Sequence, residues 1–437
     1  MAPTRPEPTE PQAVSQATSD AHAIAPIFGD LRRHMDQAGA NWMPFGPPTI
    51  ERDGAEPTQI EVAEDFGQFE AEYAAIRRNV GVMHLPWRRV IPLFGDDTRS
   101  FLHALLTQEI NGMSGGDTRP ALLLNAKGAI QADTVVHYGD AGSWLELDAF
   151  DALTVHQSLE ASLFAEDVRL EPAWPKDVAM PAWTCFGLVG PACFALLDSL
   201  RDEAPNPQHP PTTQMGVHQV VTLRGAGMTE AVGVSIYRTD DAGVPGLRLW
   251  VPTEHAADVY AALLDAAGFL SQDPTEDPEA FAARRRESLR GRPVGWSAYN
   301  TARIEAGTPL FHVDFGPTNL PAEATLVDSH VSFTKGCYPG QEAVARMKNL
   351  GHPKKLLVAL HVDGQGLPVA GTEVFDADDK GRVIGAITSS AASPLRGQSP
   401  IAIAMVRWGK HQAGTNVRVA ADGQLVGATV TPLGDSD

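Results

Sequence analysis

The apolar positions of the chain fall into two rhythms. Phe69, Tyr73, Ile76 and Val80 recur at helical spacing, with Gly81 suited to the helix end. Phe101, Leu102, Leu105 and Leu106 make a second helical stripe. Strand-like runs alternate with these. Arg88–Phe94 reads as a strand, with Pro92 hinting at an edge. Residues 121–125 and 129–138 flank Ala126-Lys127-Gly128 as a hairpin, and residues 143–147 form a further strand before a helix over 155–163. A second series of the same texture follows: strand 184–189, helix 191–200, strands 217–223, 232–237 and 247–251, and helix 256–270. From Lys355 onward the pattern changes to short apolar runs (356–361, 373–375, 383–388, 401–407 and 416–420) separated by Gly, Pro and Asp. That spacing predicts a small β-barrel or sandwich. The fold class is therefore α+β. It divides into a tail without packed structure over residues 1–24, an irregular extension over 25–64, two α+β units over 65–350, and a β-module over 351–437.

Composition narrows the function classes. The chain has 437 residues and a formal charge of −20, which disfavours anionic membranes and nucleic acid as partners. One basic run, Arg284 to Arg286 with Arg290 and Arg292, sits beside an acidic stretch and reads as a solvated face. Three cysteines, Cys185, Cys193 and Cys337, form no CxxC pair and no disulfide framework, as expected in a reducing cytoplasm. No apolar run approaches the roughly 20 residues of a membrane span, and the N-terminus lacks the pattern of a signal peptide.

Chemistry concentrates in residues 302–346. Cys337 lies between Gly336 and Tyr338, with Gly340 nearby. On residues alone two readings stay open: a small thiol buried in a tight turn, or a reactive thiol. Lys335 lies two residues before it, on the same side of an extended segment, where an ammonium favours thiolate. Tyr338 could stack on a flat ligand, and Gln341 and Glu342 could supply hydrogen bonds. Cys185 and Cys193 sit among apolar neighbours and read as core. His312 and His330 lack metal-ligand spacing and read as satisfied histidines. No metal-binding set, phosphate loop or nucleophile elbow is legible.

The run Lys335–Glu342, KGCYPGQE, resembles the signature of YgfZ-type proteins, paralogues of the glycine-cleavage T-protein, an aminomethyltransferase. Residues 303–307 (RIEAG), 319–324 (NLPAEA) and 385–390 (GAITSS) resemble the same superfamily, so the likeness covers roughly residues 65–430. It implies two ferredoxin-like units and a C-terminal barrel around an opening that holds tetrahydrofolate. It also implies an accessory protein for assembly or repair of iron–sulfur proteins, including those that modify tRNA, with such proteins or their assembly factors as partners. The thiol of Cys337 would be the reactive group. By the same resemblance, Asp133 is the carboxylate beside folate's reactive nitrogens; as a residue it is equally an ordinary strand-end Asp. Arg303 would hold folate's glutamate tail or pair with Glu305. Where T-proteins carry a carboxylate that grips the pterin, this chain has Arg248, which has no acceptor. Two alternatives stay open: a folate-dependent aminomethyl or methyl transferase of the T-protein type, and a non-catalytic folate-binding scaffold.

Overall fold

The computed structural model describes residues 29–52, 55–139, 142–172, 182–202, 213–269, 289–379 and 381–434. The N-terminal tail and most of the basic run lie outside these.

The first unit is a five-stranded sheet. Its order is Thr118–Leu124, Ile130–Gly139, Gly142–Asp148, Arg88–Phe94 and Arg169–Leu170. Alternation along these strands sends Ala132, Val136, Leu145, Leu147, Ile91 and Leu93 to one face, where they pack on Phe101, Leu102 and Val155. The opposite face turns toward the second unit. That unit is a six-stranded sheet built on His218–Leu223, Val232–Thr239, Gly246–Pro252 and Trp183–Val189. Its helices, Cys193–Leu200 and Ala256–Ala266, bury Leu196, Leu197, Tyr260 and Leu263.

Two expectations need correction. The units are not simply consecutive: Gly81–His84 joins the second sheet, antiparallel to Trp183–Val189, and Arg292–Pro293 pairs with it in parallel. The chain therefore crosses between sheets at Pro86 and Trp87, and the helical stripe stops at Arg78, before Val80. Nor are residues 25–64 irregular where they are described. Gly29–Gln37 is a helix that inserts Leu31 and Met35 into the second unit's core. Asn41–Arg52 and Ala55–Asp65 form an antiparallel hairpin. Phe45 from this hairpin packs on Trp87 and Trp296, at ring separations of 4.7 and 4.8 Å.

The C-terminal module is a closed six-stranded barrel, Lys355–Val362, Ser399–Arg407, Val383–Ser393, Glu373–Asp376, Asn416–Ala421 and Gln424–Thr431. Gln424–Thr431, absent from the sequence expectation, closes it by pairing with both Asn416–Ala421 and Lys355–Val362. Helix Trp296–Glu305 ties the parts together. Glu305 binds Arg77 and Tyr73 on one side and Ser393 of the barrel on the other.

Candidate functional site

The two sheets meet at a seam organised by one carboxylate. Glu146 lies between Leu145 and Leu147, so strand alternation turns it away from the first unit's core and toward the second unit. It is fully buried. Its Oε1 accepts from Arg88 Nε at 2.9 Å and Arg248 Nη1 at 2.7 Å. Its Oε2 accepts from Tyr237 Oη at 2.7 Å and Trp250 Nε1 at 3.0 Å, and His137 Nε2 lies 3.2 Å away. Burial alone pushes such a group up. Arg88 and Arg248, with His137, more than offset that and hold Glu146 well below the usual carboxylate range. Arg248 completes its pairing with Asp241 at 2.7 Å.

This knot decides what the Arg248 corner can hold. The cavity lined there by Leu85, Asp241, Val244, Arg248 and Tyr299 is about 10 Å³. That is the space of roughly one water. No flat bicyclic ring enters it in this arrangement.

Along the same seam lies a more open group. Val135 and Glu146 pair across adjacent antiparallel strands; Asp133 lies two residues before Val135, and Asp148 two residues after Glu146. Asp133 is partly exposed, and His330 Nε2 stands 3.4 Å from its Oδ1. Asp148 is buried, with Arg88 Nη1 at 3.5 Å. Burial, reinforced by Asp151 and Asp133, pushes the Asp148 carboxyl up to about 6 against the pull of Arg88 and His312. His312 donates from Nε2 to Asp151 at 2.7 Å. Burial lowers the His312 pKa, but the Asp151 bond outweighs it and the net shift is upward. The backbone of His312 has φ 61°, a left-handed conformation uncommon for a non-glycine residue and enriched at functional sites.

The sequence singled out Asp133 but not Glu146, Asp148, Asp151 or Arg88. A charged residue at the inward-facing step of an apolar strand was their only trace. The reading of His312 and His330 as satisfied histidines is consistent with their carboxylate partners.

Lys335, Tyr338 and Arg303 stand differently from expectation, and the readings of Gln341 and Glu342 are untouched. Lys335 Nζ donates to the carbonyls of His103 and Leu106, at the end of helix Thr98–Leu105. Its ammonium is buried there, which lowers its pKa to about 8, while Cys337 is exposed. Tyr338 is only 6 % exposed and packs with Phe333, Val344 and Leu357, so its ring is not open to a ligand. Gln341 and Glu342 begin helix Gln341–Leu350, with no side-chain hydrogen bond among the described residues. Glu342 is exposed in the first helical turn, where a carboxylate complements the helix dipole. Arg303 is fully buried and does not pair with Glu305. It bonds Asp314 at 2.5 Å, Asn300 at 2.9 Å and Ser389 at 2.6 Å, locking helix Trp296–Glu305 to the barrel. No face of Arg303 is left for a ligand.

The loop is seated by two glycines. Gly340 has φ 80°, and a Cβ there would lie 2.5 Å from the Asn125 carbonyl oxygen and 2.9 Å from Gly128 Cα. Gly128 has φ 81°, and its Cβ would meet Ala343 at 2.7 Å. Cys185 and Cys193 are buried, as expected; burial pushes the Cys193 thiol up to about 12. Among the described residues, no helix is long and apolar enough to cross a membrane.

Residues 32–273 match the GCVT N-terminal domain family, and residues 355–434 match the glycine cleavage T-protein C-terminal barrel domain. The chain belongs to the glycine-cleavage T-protein superfamily. An aminomethyltransferase of Cutibacterium acnes is 27% identical over 367 residues, 83% of this chain and 89% of that protein. An aminomethyltransferase of Streptomyces coelicolor is 27% identical over 350 residues, 78% and 82% of the two chains. In three dimensions the chain resembles glycine cleavage system aminomethyltransferase T from Bartonella henselae. The TM-score is 0.71 at 20% identity, over 92% of this chain and 96% of that one. This last likeness speaks for the fold alone.

Proposed function

We propose that this T-protein-superfamily chain binds a reduced folate at the seam between its two units and passes a one-carbon unit there, as an aminomethyltransferase of the T-protein type does. The observation that carries the reading is the carboxylate wall of Asp133 and Asp148. Asp133 is open to solvent on one side, and among the described residues the Asp148 carboxylate is paired with Arg88 Nη1 at 3.5 Å. A reduced pterin supplies N–H donors that both carboxylates can accept. The small Arg248 corner, with room for about one water, does not fit that ring, so recognition would lie on the Asp133 side. There Asp133 would hold or take a proton at a folate nitrogen. Tetrahydrofolate supplies the nitrogen nucleophile for the transfer.

Calorimetry with tetrahydrofolate tests this. Micromolar binding, on the order of −8 kcal/mol, weakened at least tenfold (about 1.4 kcal/mol) by Asp133→Asn, supports the proposal. Absence of binding by the wild-type chain overturns it.

A second reading rests on Cys337. It is exposed, whereas the other two cysteines are buried, and it sits in the KGCYPGQE loop that resembles YgfZ-type proteins. In this reading the chain is a folate-binding accessory protein supporting assembly or repair of iron–sulfur enzymes, including tRNA-modifying ones, with the thiol as reactive group. Arg248 in place of a pterin-gripping carboxylate favours it; the aminomethyltransferase relatives favour the first. Cells carrying Cys337→Ser as the sole copy separate the two. Loss of iron–sulfur enzyme activity with unchanged folate binding supports the second reading, and full activity removes it.

A further inference from the structure

The C-terminal module carries a charge pattern opposite to that of the chain. Residues 343–362 and 380–421 contain no Asp or Glu, although the chain has 54 of them and a formal charge of −20. The fold brings these two stretches together. Strand Lys355–Val362 pairs with strand Ser399–Arg407 so that Lys355 faces Arg407, and just beyond them Trp408 N donates to the Lys354 carbonyl at 2.9 Å. Residues 352–355 and 407–411 therefore lie side by side at one end of the barrel. Three rings stack there. His352 lies on Trp408 with ring centroids 4.6 Å apart and planes 6° apart, and His411 lies on Trp408 at 4.1 Å and 29°. Gly409 N donates to His411 Nδ1 at 3.1 Å, which folds that imidazole back onto the indole. A ring system of this size is usually kept from water, yet Trp408 is 40 % exposed. Lys354 and Arg407 flank it and are exposed, and among the described residues neither side chain has an ion pair or a hydrogen bond. The carboxylate that meets this end, Asp376, is buried and paired with Lys410 at 2.8 Å. Next to His352, Pro353 lines a cleft of about 190 Å³, walled also by Leu320, Val327 and Met347, with Lys348 and Asp328 as its charged side chains.

We propose that this end of the barrel binds a single-stranded nucleic acid. One base stacks on the imidazole–indole–imidazole platform, a neighbouring base enters the cleft, and phosphates meet Lys354 and Arg407. The surface offers a π-face and cations in one place. An acidic peptide or an anionic lipid headgroup would use the cations alone, whereas each nucleotide brings a flat ring and a phosphate together. Within the cleft, Lys348 can donate to a base edge and Asp328 can accept from one. Phosphate contacts fix the path of the strand, and stacking accepts any base, so sequence preference is weak. The charge of the whole chain opposes this only weakly. At physiological ionic strength charges are screened beyond about 8 Å, so the strand senses chiefly the cations it touches. The inference uses none of the residues of the folate reading and does not rest on it.

Fluorescence anisotropy with the full chain tests it. The probes are labelled oligouridylate and oligothymidylate of about 12 nucleotides, and an abasic oligomer of the same length. Each is titrated at about 50 and 150 mM salt. The expected result is salt-dependent binding of the strands that carry bases, and binding of the abasic oligomer at least about tenfold weaker. Trp408→Ala should weaken binding roughly tenfold with an unchanged melting curve. Lys354→Gln combined with Arg407→Gln should reduce the slope of log affinity against log salt by about 2. Tighter binding of the ribo-oligomer assigns RNA, and equal binding assigns a site blind to the sugar; both support the proposal. Absence of binding at the lower salt overturns it. So does affinity unchanged in both variants, which would move the contact elsewhere, the run Arg284 to Arg286 included. Equal binding of the abasic oligomer, of polyglutamate or of phosphatidylserine vesicles overturns it too, since none of these has a base to stack. Should Trp408→Ala fail to fold, His352→Ala and His411→Ala each remove an outer ring and carry the same expectation.

Discussion

Replacing Glu146 by Gln keeps the side-chain shape and removes the charge on which the seam is built. Oε1 serves Arg88 and Arg248; Oε2 serves Tyr237 and Trp250, with His137 near it. An amide offers only one oxygen. Whichever way it turns, its NH₂ faces groups that are themselves donors. A buried donor left without an acceptor costs about 1–3 kcal/mol, and loss of the anion leaves two buried guanidinium groups under-compensated. Arg248 keeps Asp241 and Arg88 keeps Asp148, which limits the damage. The expected loss is therefore about 3–5 kcal/mol. Urea denaturation at pH 7 followed by tryptophan fluorescence reads it, since Trp250 lies in the knot. The pH dependence has a definite sign. Glu146 is depressed below its ordinary 4.5, so its stabilisation is fully present above that pH and fades as acid approaches the folded value. Wild type and variant should converge on acidification. A loss below about 1 kcal/mol at pH 7, or a gap that widens in acid, would refute the view that this carboxylate holds the two units together.

Asp148→Asn should act in the opposite direction. Its carboxyl is raised from 3.8 to about 6, so the folded wild type loses stability as pH rises through that window. The variant should be more stable by roughly 2–3 kcal/mol at pH 8 and equal to wild type near pH 4, read by denaturant midpoints. Lys335→Met should cost about 2 kcal/mol by stranding the His103 and Leu106 carbonyls. It should leave the maleimide reaction rate of Cys337 within about twofold, because the ammonium is engaged at the helix end; a tenfold slowing would restore the thiolate-activating role. Gly340→Ala should lower the melting temperature through a loss of about 2 kcal/mol or more, since its φ of 80° is unfavourable for alanine and the added Cβ meets the Asn125 carbonyl at 2.5 Å. An unchanged melting curve would show that the loop is not seated on that turn.

Much of the fold was legible because periodicity reports burial, and burial is what most strands and helices here share. The longer strands of both units and five of the six barrel strands are legible in alternating or continuous apolar runs, whereas Gly81–His84, Arg169–Leu170 and Arg292–Pro293 are not. The hairpin over Asn41–Asp65 was hidden by Pro44, Pro47, Pro48 and Pro57, which read as turn signals; a two-stranded hairpin outside the main sheets tolerates proline where a central strand does not. The strand swap of Gly81–His84 was equally hidden, since four buried residues do not declare which sheet they join. Asp133 was found by likeness, whereas Glu146 and Asp148 looked like strand residues of no account. Their meaning lies in Arg88 and Arg248, 58 and 102 positions from Glu146 in the chain. Pairing at that separation is a property of topology.

The same topology changes what the KGCYPGQE loop means. Lys335 fastens to the end of helix Thr98–Leu105, Tyr338 fills the adjoining core, and Gly340 sits against the turn at Asn125 and Gly128. Thr107 adds two further ties: its hydroxyl donates to the His330 carbonyl at 2.7 Å, and its carbonyl accepts from Ser332 at 2.9 Å. These contacts fix residues 330–340 on the first unit, and by doing so they set His330 beside Asp133. The signature is thus a clamp as well as a thiol carrier. Its buried residues position a histidine on the carboxylate wall, and its exposed residue, Cys337, is free of that duty. A change that loosens the clamp should disturb Asp133 even where Cys337 is untouched, whereas Cys337→Ser should leave the Asp133 site intact. The two candidate activities are therefore separable in one direction only.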